Sequence, residues 1–171
     1  MIKCFFLDRD GVIIKDRRHV YKEKEIFITL GAQAALREIK NNKYLIIIIT
    51  NQSVIGRGLI SKKKFLEFNE KMNAKLSINL KKKVIDDIFF CPHHPSKAIG
   101  MYKLKCKCRK PGNKLIEDAI KKWKINRKKS VMIGDKFSDY LAAKRSKIKF
   151  YYKENSNFHD QVKKIINEKS Y

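Results

Sequence analysis

At 171 residues the chain can bury one core but not two full-sized ones, and a hydrophobic content of 43% excludes a disordered polymer. Lys and Arg number 41 against 17 Asp and Glu, a net charge of +24. The longest apolar run, Tyr44–Ile49, suits a buried strand and falls far short of the ~20 residues that cross a bilayer, so no membrane partner is expected. In chain order, Lys3–Leu7 (KCFFL) reads as a buried strand running into Asp8, Arg9, Asp10 and Gly11. Met1 leads directly into it, leaving no room for a signal or transit peptide, so a cytoplasmic protein is expected. Ala32, Ala35, Leu36 and Ile39 recur at helical spacing, and Asn41–Asn42 close that helix. Tyr44–Ile49 is the second strand, with Thr50–Ser53 in the loop that follows. Ser61 is placed to cap a helix whose inner face is Phe65, Phe68, Met72 and Leu76. Ile88–Phe90 is a short third strand. Cys91–Arg109 has no hydrophobic period and holds three of the four cysteines, so something other than a core must order it. Pro111 is placed as the first residue of the next helix, with Leu115, Ile116, Ala119, Ile120 and Trp123 inward. Val131–Gly134 is the fourth strand, followed by a short helix through Leu141, a strand at Lys149–Tyr152 and an end helix with Val162, Ile165 and Ile166 inward. Strands alternating with helices predict a parallel sheet covered on both faces.

The charge invites a nucleic-acid partner, but the composition explains it otherwise. Lys numbers 33 and Arg only 8, while Ile (23) and Asn (11) outnumber Ala (8), Gly (7) and Pro (3). Residues with A- and T-rich codons are inflated, as a biased genome produces whatever the protein does. The runs Lys62–Lys64, Lys81–Lys83, Lys121–Lys122 and Lys128–Lys129 are scattered in or beside surface helices, where solvated charge is the plainer reading. Nucleic acid is therefore not expected as a partner, although a positive field would help capture a phosphorylated substrate.

Ligands of open parallel sheets bind beyond the carboxyl ends of the strands. Three such ends carry polar groups: Asp8 and Asp10, then Thr50 and Asn51, then Asp135 and Asp139. Lys110 sits just before the helix at Pro111. Converging carboxylates repel and call for a cation, and all-oxygen ligation suits Mg²⁺. A hydroxyl and a lysine beside it suit the oxygens of a phosphoryl group. A turn with an acidic cap would account for Asp8 and Asp10 but for no other strand end; for Asp139 alone, capping the next helix or orienting Lys136 suffices.

A second set of ligands lies in the unperiodic loop. Cys91 and His93 are two apart, as are Cys106 and Cys108, with 12 residues between the pairs. Alternate residues of an extended segment face one side, so each pair can bite one metal. Reduced thiols favour zinc over a disulfide, and four protein ligands make such a site structural. His94 competes with His93 as the fourth ligand on spacing alone. Cys4, with no partner in sequence, reads as a packed strand residue.

DRDGV at Asp8–Val12, TNQS at Thr50–Ser53, Lys110, and GDKFSD at Gly134–Asp139 resemble the four motifs of the haloacid dehalogenase superfamily of phosphatases. Together with CPHHP at Cys91–Pro95 and CKCRKP at Cys106–Pro111, they are similar to the branch that hydrolyses heptose bisphosphate and histidinol phosphate. The resemblance spans residues 3–150 and implies an α/β three-layer Rossmannoid sandwich, one domain over residues 1–171, with a mostly parallel sheet, no large cap domain and a zinc-binding loop at 91–109. It implies that Asp8 attacks phosphorus to form an aspartyl-phosphate and that Asp10 serves as general acid and base. Thr50 and Lys110 would hold phosphoryl oxygens. Arg9, Asp16, His19, Asn51, Gln52, Ser53, Arg109 and Lys136 would join Asp8, Asp10, Thr50 and Lys110 in binding substrate. Mg²⁺ would rest on Asp8, Asp10 (through its carbonyl) and Asp135, and zinc on Cys91, His93, Cys106 and Cys108.

TNQSVIGRG is similar to the NQSxxxRG of the heptose enzymes, whereas histidinol phosphatases carry Asp where Ser53 stands. The expected activity is therefore removal of the C7 phosphate from D-glycero-D-manno-heptose 1,7-bisphosphate, in lipopolysaccharide-core synthesis, by a monomer acting on a small phosphorylated sugar. Histidinol phosphate is the alternative substrate. A basic zinc-knuckle nucleic-acid binder and a nucleic-acid 3′-phosphatase are the rivals from other classes. The chain departs from the family pattern at Arg17–Arg18–His19, which replace a Gly-Tyr segment, at Val54, which replaces a glycine, and in a shorter tail after Tyr152.

Overall fold

A computed structural model gives the architecture, described for residues 2–80 and 82–168. Met1 and Lys81, the first lysine of the Lys81–Lys83 run, lie outside the described residues. The elements in order are β1 (Cys4–Leu7), α1 (Ala32–Asn41), β2 (Leu45–Asn51), α2 (Ser53–Gly56), α3 (Lys62–Leu76), β3 (Asp87–Cys91), α4 (Lys114–Trp123), β4 (Val131–Gly134), α5 (Phe137–Arg145), β5 (Lys149–Tyr152) and α6 (Phe158–Glu168). The strands form one sheet in the order β3-β2-β1-β4-β5, and every pairing is parallel.

Strand side chains alternate between faces, and the apolar runs are continuous, so both faces of the sheet are greasy. Phe5, Leu7, Ile46, Ile48, Val131 and Ile133 pack on one side with the buried faces of α1, α3 and α6. Cys4, Phe6, Ile47, Ile49 and Met132 pack on the other with Leu115, Ile116 and Ala119 of α4 and Ala142 and Ala143 of α5. A side chain of this size, fully buried, contributes about 1.5–3 kcal/mol. Cys4 is one of these packed residues, with no exposed surface.

The expected inner faces of α1 and α3 are buried, and Ser61 Oγ accepts from the Lys64 amide at 3.2 Å, capping α3. Asn69 and Asn73 are also buried on α3. The amide of Asn73 both donates to the Ile85 carbonyl (3.1 Å) and accepts from the Ile85 N–H (3.2 Å), tethering the segment that leads into β3.

Among the boundaries that differ from expectation, two bear most on the site. Thr50 and Asn51 belong to β2 and not to the following loop, because β3 runs alongside as far as Cys91 and pairs Thr50 with Phe90 and Asn51 with Cys91. Pro111 does not open α4, which starts at Lys114. Residues 107–114 fold back on themselves first: the Gly112 amide donates to the Arg109 carbonyl (2.7 Å) and the Lys114 amide to Lys107 (3.1 Å). A Cβ at Gly112 would lie 2.2 Å from the Lys107 oxygen, so this turn requires glycine. Among the described residues no helix is long and apolar enough to cross a membrane.

Candidate active site

Parallel pairing brings the carboxyl ends of β1, β2 and β4 side by side, and a cleft of about 530 Å³ opens over them. Asp8 leaves β1 with its amide bonded to the Ile133 carbonyl of β4 at 3.0 Å. The chain then turns through Gly11 at φ 87, where any Cβ would lie 2.4 Å from Asp135 Oδ2. Glycine there lets the Asp8–Asp10 turn and the end of β4 approach closely.

Lys110 is the centre of the cleft floor. It is 4% exposed, and its ammonium reaches Asp8 Oδ1 at 2.9 Å, Asp139 Oδ1 at 2.7 Å and the Ile49 carbonyl at 2.7 Å. Burial alone would strip its proton, but the two carboxylates outweigh it and hold the lysine above its ordinary range. Its backbone is fixed as well: Asn51 Oδ1 accepts from the Lys110 amide (2.9 Å) and Asn51 Nδ2 donates to the Lys110 carbonyl (3.1 Å). Asn51 thus splices the turn at 107–114 onto the end of β2. Asp139 also accepts from the Lys136 amide (3.0 Å), so it caps α5 and pairs Lys110 at once.

The carboxylates crowd each other. Burial pushes Asp10 above the usual carboxylate range, with Asp8 adding to the push and Arg9 opposing it. Burial also pushes Asp135 up to about 6, with Asp8 and Asp139 adding to it against Lys136. Oxygens of Asp8, Asp135 and Asp139 lie within 4.8 Å of one another, a hard-oxygen set of the kind Mg²⁺ takes. Thr50 is buried at the floor, its hydroxyl accepting from Gln52 Nε2 at 2.9 Å. Arg18, Arg57, Arg109 and Lys136 make the rim positive above this acidic floor. Arg57 reaches His19 Nε2 at 3.1 Å, and Lys136 pairs with Asp16 at 2.9 Å, tying the 16–19 loop to both walls.

Of the residues expected at the site, Asp8, Asp10, Asp16, His19, Thr50, Asn51, Gln52, Ser53, Arg109, Lys110 and Lys136 line the cleft, and Asp135 abuts its floor through Gly11. Arg9 does not line the cleft: its side chain has no exposed surface and turns away beneath Asp10.

The loop at 91–109 gathers its ligands as expected. Cys108 Sγ lies 2.8 Å from Cys91 Sγ, 3.2 Å from Cys106 Sγ and 3.2 Å from His93 Nδ1. All four cysteines are free thiols. Burial, aided by the neighbouring thiols, pushes the Cys91 thiol far up, so a thiolate there would need a cation beside it. His94 faces elsewhere, its Nδ1 accepting from the Ser96 and Lys97 amides at 3.2 and 3.0 Å. The Arg109 amide points at Cys106 Sγ (3.4 Å) and its guanidinium at the His93 carbonyl (3.2 Å), so the thiol cluster holds one wall of the cleft.

Comparison with known proteins gives this geometry a lineage. The profile of the family described as Polynucleotide kinase 3 phosphatase matches residues 3–165. The D-glycero-beta-D-manno-heptose-1,7-bisphosphate 7-phosphatase of Haemophilus influenzae is 40% identical over 152 residues, which cover 87% of this chain and 79% of that protein. The chain belongs to the haloacid dehalogenase superfamily of phosphatases. A Photorhabdus laumondii relative named for the alpha anomer is equally similar, at 40% over 149 residues, 86% of this chain and 79% of that protein. The crystal structure of a D,D-heptose 1,7-bisphosphate phosphatase from B. bronchiseptica, complexed with magnesium and phosphate, superposes with a TM-score of 0.84 at 23% identity, covering 98% of this chain and 99% of that one. Within this superfamily member, sequence reasoning left Arg18 and Ser138 out of the cleft. Asp139 was placed with Asp135 at the strand ends but given no role in the site; Arg57 lay within the quoted TNQSVIGRG but was not assigned to the site.

Proposed function

We propose that this protein removes the C7 phosphate of D-glycero-D-manno-heptose 1,7-bisphosphate in a Mg²⁺-dependent, two-step phosphoryl transfer. The observation that carries the reading is Lys110, buried between Asp8 and Asp139 beneath a cleft whose rim is cationic. A bisphosphate is drawn to Arg18, Arg57, Arg109 and Lys136, whereas the imidazole and amine of histidinol phosphate gain nothing from them. The names of the curated relatives point the same way.

Asp8 attacks phosphorus as the P–O bond to C7 breaks, and the leaving alkoxide takes the proton of Asp10. Water then attacks the aspartyl-phosphate, giving its proton to Asp10, and the bond from phosphorus to Asp8 breaks to release inorganic phosphate. The raised Asp10 suits a group that begins protonated. Thr50 and Lys110 hold the phosphoryl oxygens, and Arg109 recognises the sugar phosphate. Asp8, Asp135 and the Asp10 carbonyl would hold Mg²⁺, with Asp139 in reach, and the ion would offset the repulsion between carboxylate and phosphate. Cys91, His93, Cys106 and Cys108 would hold one structural zinc. Free thiols suit a reducing cytoplasm, and the reaction needs no second chain.

The test is phosphate release from heptose bisphosphate, histidinol phosphate and 3′-phosphorylated DNA, with Mg²⁺ present and then chelated. Heptose bisphosphate should be turned over fastest, chelation should stop it, and Asp8→Asn should lower the rate on the order of 10⁴-fold with an unchanged circular dichroism spectrum. Preference for the DNA end would move the protein to the nucleic-acid 3′-phosphatases, and an active Asp8→Asn would remove the nucleophile.

A further inference from the structure

Arg9 stands between the two catalytic carboxylates in sequence, yet among the described residues its side chain is the largest with no solvent exposure. It lies over the rings of Phe65 and Phe68, 5.6 and 5.0 Å from their centroids. An apolar side chain would pack there without the several kcal/mol that a buried charge forfeits in hydration. The guanidinium instead forks onto Asp10, with Nε 3.2 Å from Oδ1 and Nη2 3.0 Å from both oxygens. Nη2 continues to the Val20 carbonyl at 2.8 Å and Gln52 Oε1 at 3.1 Å. Gln52 closes the circuit, donating to Asp10 Oδ2 at 2.8 Å and to the Thr50 hydroxyl at 2.9 Å.

We infer that Arg9 is a positioning residue for the phosphoryl transfer: from beneath, its fork and Gln52 lock the Asp10 carboxyl in the rotamer that faces the leaving oxygen. The inference rests on the phosphatase reading above. Planarity matters to it, since a guanidinium fixes the plane of a carboxylate and an ammonium does not. Arg9 itself touches neither substrate nor phosphoryl group. It acts only through the proton that Asp10 gives to the alkoxide and later takes from water.

That role has a signature that loss of packing lacks. A p-nitrophenolate leaving group needs no proton, whereas the sugar alkoxide does, so a misaimed Asp10 should slow the first step for the sugar and spare it for p-nitrophenyl phosphate. The experiment compares wild type, Arg9→Met and Arg9→Lys with heptose bisphosphate and p-nitrophenyl phosphate under rapid mixing. Both variants should lose about 10²-fold or more in kcat on the sugar, with KM changed less than about 3-fold. With p-nitrophenyl phosphate they should still give a burst of p-nitrophenolate at close to the wild-type rate, followed by slow phosphate release and a trapped aspartyl-phosphate.

Equal losses in the first step for both esters, or a kcat on the sugar that stays near wild type, would overturn the inference. Arg9→Lys keeps a buried cation, so it decides the matter even where Arg9→Met fails to fold. Should neither variant fold, Arg9 is a structural residue and the inference falls. A wild-type protein inert toward both esters sinks the phosphatase reading itself, and the role of Arg9 with it.

Discussion

Lys110 is nearly as enclosed as the isoleucines of β2, and it stays charged because Asp8, Asp139 and the Ile49 carbonyl together replace its water. Removing it leaves buried carboxylates facing each other. Lys110→Met should therefore destabilise the fold by about 3–5 kcal/mol in chemical denaturation, besides abolishing turnover. A midpoint close to wild type would show that the carboxylates protonate at little cost. Lys110, Asp8, Asp10 and Thr50 were legible in the sequence because each follows or flanks an unmistakable apolar strand or a proline. Arg9 was not. Position beside two aspartates says that a residue belongs to a turn, but the direction of its side chain depends on Phe65 and Phe68, contributed by a helix far along the chain. The choice between His93 and His94 was likewise out of reach of spacing; the His93 imidazole faces the thiols and that of His94 does not.

The strands and helices were mostly legible, since continuous β-branched runs alternate with amphipathic ones. Misread boundaries share a cause: they lie where the chain answers to a tertiary partner. β2 is prolonged by pairing with β3, and α4 is delayed by the turn that anchors Lys110 to Asn51. The thiol loop follows the same logic. It has little apolar material of its own, and on the proposed zinc site metal binding would supply the free energy that orders it. Cys108→Ser should drop zinc from one ion per chain and lower turnover about 10-fold or more by loosening Arg109 and Lys110, while far-ultraviolet circular dichroism keeps the signal of the sheet. Metal analysis beside the rate measurement checks this. Zinc-free protein with full activity, or a disulfide among the four ligands, would overturn it.

Across the molecule the positive charge is dispersed. Lys71, Lys83, Lys122 and Lys149 pair with acids elsewhere in the chain, and Lys114 with Asp118 of its own helix. One group, with Lys3, Lys43 and Lys129, borders a hollow at the amino ends of the strands, away from the cleft. Charge so placed attracts a polyanion without orienting it toward Asp8. Binding to duplex DNA should accordingly have a dissociation constant of about 10⁻⁵ M, weaken steeply with salt, and ignore whether the 3′ end carries phosphate or hydroxyl. Fluorescence anisotropy over a salt series checks this, and tight end-specific binding at physiological salt would contradict it.

The order of the strands sets when the protein becomes an enzyme. β1 is made first and lies in the middle of the sheet, yet its neighbours begin at Leu45 and Val131. A chain that extends only as far as Lys129 already carries Asp8, Thr50 and Lys110, but it lacks Asp135 and Asp139, and its central strand still presents an open edge. Closing so long a loop must precede the contacts that reward it. A chain whose fourth strand has not docked therefore lacks part of the acidic set, and the site is complete only once β4 pairs with β1.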